Sequence, residues 1–237
     1  MGNLRKPMLG AAAALLLCAG APSDPERTTA PPPPPRPSKP TGEVLFSDDF
    51  SKAELGAWAA DRVGVWSVRR GVLRADLPNQ RQLHSFLYTG DPAWTDYAVD
   101  LDVCAMRGVD KGLAVRVMRG GAPGDDGSGI GVDLRGPGYQ DLLMHRREWP
   151  MAKVRAINAN GTWNHLRVEA REHRYRVWLN GTLMLDKMDS KRSRRRGGIA
   201  LAAYTGGVGE CTVYFDNVVV TALAPLGAFE TRSEGGR

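Results

Sequence analysis

Apolar and polar residues alternate with a period of two from Val44 to Leu223, and this constrains the chain more than any other feature. Tyr97, Val99, Leu101 and Val103 alternate with Ala98, Asp100, Asp102 and Cys104. Leu113, Val115 and Val117 interleave with Ala114, Arg116 and Met118, and Ile130, Val132 and Leu134 with Gly131, Asp133 and Arg135. Successive side chains of an extended backbone point to opposite faces, so each segment reads as a strand with one buried face. Leu166, Val168 and Ala170 repeat the pattern, as do Tyr175, Val177 and Leu179, with His, Arg, Glu and Trp residues between them. Asn180-Gly181 then precedes Leu183 to Leu185, the strongest short-range hairpin signal because both turn positions need positive φ. Gly71 plays the same part between Val65 to Val68 and Val72 to Leu77. A helical period appears only weakly, over Ser51 to Ala60. About a dozen short strands in roughly 180 residues predict an all-β fold, a two-sheet antiparallel β-sandwich over residues 42–224.

The segments flanking that domain differ in kind. Arg5 and Lys6 precede an apolar run from Met8 to Leu17 that is too short to span a bilayer, so residues 1–21 read as a signal peptide. Cys18 after Leu15-Leu16-Leu17 resembles the lipobox of bacterial lipoproteins and is the candidate lipidation site. Ordinary cleavage after Ala21 and a retained N-terminal anchor are the alternatives. Residues 22–41 include Pro31 to Pro35, Pro37 and Pro40, a linker expected to be disordered and extended at about 3 Å per residue, reaching roughly 60 Å. Residues 225–237 lack apolar periodicity and read as a disordered tail. The expected place is the cell envelope, in the periplasm or on the outer-membrane surface, with the membrane as a partner through the lipid anchor; secretion is the alternative.

The formal net charge of +6 falls unevenly along the chain. Residues 42–224 carry 25 Lys/Arg against 22 Asp/Glu, and the run Lys191 to Arg196 alone supplies five of the positive charges. That run is either a solvated loop or a contact for something anionic, and no basic surface remains for nucleic acid. The chain is expected to be a monomer.

Val44-Leu45-Phe46-Ser47-Asp48-Asp49-Phe50, Trp66-Ser67-Val68 with Gly71-Val72-Leu73, and Trp94-Thr95-Asp96-Tyr97 resemble the opening of concanavalin A-like jelly rolls. Gly161 to Val168 with Trp163, Val177 to Gly181, and Tyr214-Phe215-Asp216-Asn217-Val218 resemble laminin-G-like and 3-keto-disaccharide hydrolase-like domains of bacterial exported proteins. The resemblance covers residues 43–223 and implies a jelly roll in which Trp163 anchors a strand in the core and the Phe-Asp-Asn strand closes a sheet. Where the hydrolase-like family carries Asn-Ser-Gly before a strand ending in Arg, this chain has Asp110-Lys111-Gly112 before Leu113 to Arg116. In such folds the solvent face of one sheet binds glycans. The resemblance therefore implies a site among Asp100, Asp102, Arg116, Asp133, Arg135, Asp141 and His145, with Tyr139 and Trp149 placed to stack on a sugar ring. The competing reading is a solvated face of cross-strand ion pairs.

The resemblance also implies a structural calcium, with Asp48, Asp49 and Asp216 as oxygen donors, or else these residues cap turns. No other cofactor is indicated. The Glu-x-Asp-x-x-Glu motif of glucanases with this fold is absent from the sequence, the four histidines lack metal-ligand spacing, and no Gly-x-Ser-x-Gly elbow occurs. Cys104 and Cys211 either pair or stay as core thiols, and their places in the alternation put them on different faces. The expected function is a tethered module that binds a glycan, such as a cell-envelope polysaccharide, or another surface partner. A hydrolase or lyase acting on a glycoside is the alternative, and a structural envelope protein a third.

Overall fold

The computed structural model describes residues 42–118, 129–136, 138–146, 149–191 and 194–224. Strands dominate them and form two antiparallel sheets. The first sheet runs β13 (Thr182–Met188), β12 (Arg174–Leu179), β11 (Trp163–Arg171), β6 (Tyr97–Arg107), β15 (Cys211–Ala222), β4 (Val72–Leu77) and β3 (Trp66–Arg69), with β1 (Val44–Asp48) also paired to β15. The second runs β10 (Trp149–Arg155), β9 (Asp141–Arg146), β8 (Ile130–Arg135), β7 (Asp110–Val117), β14 (Gly198–Tyr204), β5 (His84–Thr89) and β2 (Ala59–Ala60). In each sheet hairpin-connected strands join strands distant in sequence, β11-β6-β15-β4 in the first and β7-β14-β5 in the second, the mark of a jelly roll rather than a simple meander.

The alternating apolar sets meet between the sheets. Val99, Leu101, Leu166, Val168, Val177 and Phe215 from the first pack with Leu113, Val115, Val132, Leu142 and Leu201 from the second, all fully buried. Burying each such side chain contributes about 1.5–3 kcal/mol, which holds the sheets face to face. Asn180 and Gly181 turn β12 into β13 with φ of 50° and 80°, and Arg70 and Gly71 turn β3 into β4 with φ of 55° and 77°. These are the positive-φ turns whose twist suits a two-residue hairpin.

Three features depart from the sequence reading. Ser51 to Ala60 forms bends and the two-residue β2 instead of a helical turn, because Asp48 holds it from both sides: its carboxylate accepts the Phe50 amide at 2.8 Å and the Trp58 indole N–H at 2.9 Å. Trp163 packs outside the first sheet, against Val72, Cys104, Met106 and Tyr214, and not in the core between the sheets. The Phe-Asp-Asn strand, β15, lies inside its sheet rather than at the edge, because its twelve residues pair with β6 along one side and with β4 and β1 along the other. Cys104 and Cys211 are both buried and free; Cys104 lies on the outer face of its sheet and Cys211 in the core. Burial pushes the two thiols up, to about 11 and about 12. The segments expected to be a signal peptide with Cys18, a linker and a C-terminal tail lie outside the described residues, as do Arg192 and Ser193 of the basic run.

Candidate functional site

The outer face of the second sheet carries a trough. Its register puts Phe86, Ala202, Gly112 and Asp133 in one row across the strands, and Tyr88, Ala200, Ala114, Gly131 and His145 in the next. No side chain taller than a methyl group rises from β7 and β14 in these two rows. With strands about 4.8 Å apart, the floor is roughly 10 Å wide.

One wall is aromatic. His84 stacks on Tyr204 with ring centroids 3.8 Å apart, Phe86 follows at 6.0 Å from His84, and Tyr88 at 6.1 Å from Phe86. The Tyr204 hydroxyl donates to Gln82. Burial, with the Asp61 charge second, pushes the Tyr88 phenol up to about 12, so it stays neutral.

The opposite wall is ionic. His145 lies over Gly131, where any Cβ would collide with the imidazole ring, and its Nε2 reaches Asp133 at 2.8 Å. Glycine at 131 is therefore what lets the imidazole lie down toward its carboxylate. Arg135 grips Asp141 through both carboxylate oxygens, at 2.7 and 2.8 Å, and Tyr139 lies against its guanidinium at 4.3 Å. Beyond them Gly138, Tyr139, Gln140, Asp141, Lys153, Val154 and Arg155 line a depression of about 460 Å³.

Asp110 closes one end of the trough, opposite Tyr204. Its Oδ1 is buried without a hydrogen-bond partner, and Arg135 Nε stands 3.9 Å away. Burial first, then the Asp133 charge, push its carboxyl up to about 7. Behind it the fully buried Lys111 points inward, its Nζ 3.5 Å from the Val109 carbonyl, and burial pulls its pKa down.

Of the residues singled out from sequence, Asp133, Arg135, Asp141, His145 and Tyr139 come together here. Four others do not. Asp100 and Asp102 lie on the outer face of the other sheet, because alternation fixes a residue's face only relative to its own strand. There Asp102 holds His165 Nδ1 at 2.9 Å and Asn217 Nδ2 at 2.8 Å, while Asp100 takes His165 Nε2 at 3.2 Å and Arg167. Glu169 bridges Arg167 and Arg176 at 2.8 and 2.6 Å. Trp149 pairs with Arg146 rather than with His145, so alternation carries it to the opposite side of β10 from the trough.

Arg116 is the fourth and is fully buried. A bulge in β7 gives it φ of 58° and turns its side chain inward, where the guanidinium donates to the Thr95 carbonyl, Asp96, the Tyr175 hydroxyl and the Glu172 carbonyl. Its amide donates to the Tyr97 hydroxyl at 2.7 Å. Arg116 thus staples the two sheets instead of facing solvent.

The calcium donors expected from sequence are committed to protein donors. Asp48 holds Phe50 and Trp58, Asp49 accepts the Ser51 amide at 3.1 Å, and Asp216 accepts the Asn217 amide at 2.7 Å. No group of three His, Cys, Asp or Glu side chains among the described residues is arranged to hold a metal ion. These residues do not fit a calcium site.

His84, Phe86, Tyr88, Tyr204 and Asp110 were missed in the sequence reading. The signal for the wall was there: His84-Ser85-Phe86-Leu87-Tyr88 alternates, with its polar-edged aromatics on one face.

Two sheets of this order, with a trough across the outer face of one, define a concanavalin A-like jelly-roll domain. The carbohydrate-binding module CBM66 from Bacillus subtilis superposes with a TM-score of 0.56 at 18% identity, covering 70% of this chain and 96% of that one. The Bacillus licheniformis β-glucanase gives 0.58 at 11% identity over 78% and 100% of the two chains. The exoplasmic domain of VIP36, solved in a Ca2+/Man3GlcNAc-bound form, gives 0.59 at 11% identity over 77% and 91%. At these identities the likeness establishes the fold alone. The family itself is specific: residues 43–221 match the 3-keto-alpha-glucoside-1,2-lyase-like domain, and the chain belongs to that family. No curated protein matches the chain in sequence.

Proposed function

We propose that this is a carbohydrate-binding domain whose ligand lies in the trough of the second sheet. One observation carries the reading: a floor of Gly112, Ala114, Gly131, Ala200 and Ala202 runs between an aromatic wall and an ionic one. A pyranose ring has an apolar face that aromatic rings cover and an edge of hydroxyls that carboxylate, imidazole and guanidinium groups bind. The structural neighbours named for carbohydrates support the reading. Titration of the full chain with 3-keto-glucosides and with envelope polysaccharides tests it: micromolar to millimolar binding that disappears in Phe86→Ala together with Asp133→Asn is expected, and a domain inert to all of them refutes it.

A second reading has its own support. The family description and the Asp133–His145 pair beside a carboxyl that titrates near neutrality favour β-elimination on a 3-keto-glucoside. A carbonyl at C3 acidifies the C2 proton, so a base near C2 and an acid near the glycosidic oxygen suffice. Release of an enone from a 3-keto-glucoside, followed by ultraviolet absorbance, tests it; turnover unchanged by Asp133→Asn and His145→Gln together refutes this site.

Export, lipidation at Cys18 and tethering to the envelope belong to the same proposal and rest on the sequence of residues 1–41. Metabolic labelling of the full chain with a palmitate analogue, lost in Cys18→Ser, tests the anchor.

A further inference from the structure

Three carboxylates stand along the trough, and one differs from the rest. Asp133 is engaged by His145 at 2.8 Å and Asp141 by Arg135 at 2.7 Å. Asp110 keeps a buried Oδ1 without a hydrogen-bond partner, because Arg135 directs its Nε–H at Asp141. The Asp110 side chain as a whole is 20% exposed, so a sugar oxygen in the trough reaches the accessible part of its carboxyl group. Charged and titratable groups face Asp110 from every side: Asp133 and Arg135 from β8, His145 from β9, Tyr204 from β14, and Lys111 next in its own strand. Burial and the Asp133 charge outweigh the cations and keep the carboxyl protonated up to about pH 7.

We propose that Asp110 is the proton donor of the trough, protonating the oxygen that leaves the sugar while the Asp133–His145 pair removes the proton from C2. The inference rests on the elimination reading above. In the step, the C2–H bond breaks and its proton goes to the pair. The electron pair forms the C1=C2 double bond, the C1–O bond breaks, and the departing oxygen takes the Asp110 proton. The products are an enone and an alcohol, and no further reactant enters.

The test compares two substrates of the full chain, methyl and p-nitrophenyl 3-keto-α-glucoside. An alkoxide needs a proton to leave and nitrophenolate does not. Asp110→Asn, nearly isosteric, is expected to lower turnover of the methyl glycoside about a hundredfold or more, to leave the nitrophenyl glycoside within a few-fold, and to erase the limb near pH 7 from the methyl pH profile. Equal losses on both substrates with an unchanged profile overturn the inference. Independently of any variant, the wild-type rate should depend little on the leaving group at pH 6 and strongly at pH 8; strong dependence at both overturns it. A wild type inert toward both glycosides overturns the elimination reading itself and this inference with it.

Discussion

The two outer faces of this sandwich are built from the same kind of alternating strand and end up unlike. On the first sheet every carboxylate of the central strands is gripped: Asp100 by His165 and Arg167, Asp102 by His165 and Asn217, Glu169 by Arg167 and Arg176. Trp178 lies under the same two guanidiniums at 5.9 and 5.3 Å. Long side chains in adjacent rows interlock and leave no floor. On the second sheet the central strands carry Gly and Ala, so the long side chains are held apart as walls and Asp110 keeps an oxygen unpaired. Mixed charge therefore marks a binding face only where small residues separate the charged columns; where they are adjacent they satisfy one another.

The sharpest way to break the comparison is through the residue that belongs to neither face. Arg116→Ala should cost about 3–5 kcal/mol, since it strands Asp96, the Tyr175 hydroxyl and two carbonyls. Urea unfolding checks this, and a variant within about 1 kcal/mol of wild type would mean the staple is idle.

Next in size, Ala202→Trp fills the floor beside Phe86 and should weaken glycan binding about a hundredfold, or roughly 2.7 kcal/mol. Isothermal titration measures it, and Trp178→Ala on the opposite face should leave the affinity within about twofold. If both act alike, the two faces are not distinct.

A smaller effect comes from His165, whose pKa is raised from 6.5 to about 9 by its bonds to Asp100 and then Asp102. Because the folded value lies above the unfolded one, the imidazolium's contribution is complete below about pH 6.5 and is lost as pH rises through about 9. The ring is a third exposed, so solvent screening leaves on the order of 1 kcal/mol. His165→Gln should flatten the stability curve between those two pH values, as thermal melts would record.

Least of all, Trp149→Ala should leave both affinity and stability unchanged within error, because this exposed ring lies on the far side of β10 from the trough.

The sandwich, the Asn180-Gly181 hairpin and the Arg70-Gly71 hairpin were legible in the sequence because each is local: period-two alternation and positive-φ turn residues act within a few positions. Half of the candidate site was legible for the same reason. Asp133, Arg135, Asp141 and His145 sit on strands adjacent in both sequence and space, so alternation along β8 and β9 places them together. Arg116 was misread because a bulge adds one residue to the strand and reverses the faces beyond it, which counting by twos does not detect. Asp100 and Asp102 were misread because nothing local says which sheet β6 joins. Asp110 was overlooked because its importance lies in what does not reach it.

The chain's own order of residues thus determined that it would make strands, where they would turn and which side of each would be apolar, since these follow from backbone stereochemistry and burial. Only the tertiary structure decided that β14, nearly a hundred residues along the chain, lies beside β7 and sets Ala200, Ala202 and Tyr204 opposite Ala114, Gly112 and Asp110. Pairing of distant strands is set by how two whole faces pack, and it is this pairing that turned one polar face into a closed lattice of ion pairs and the other into a trough.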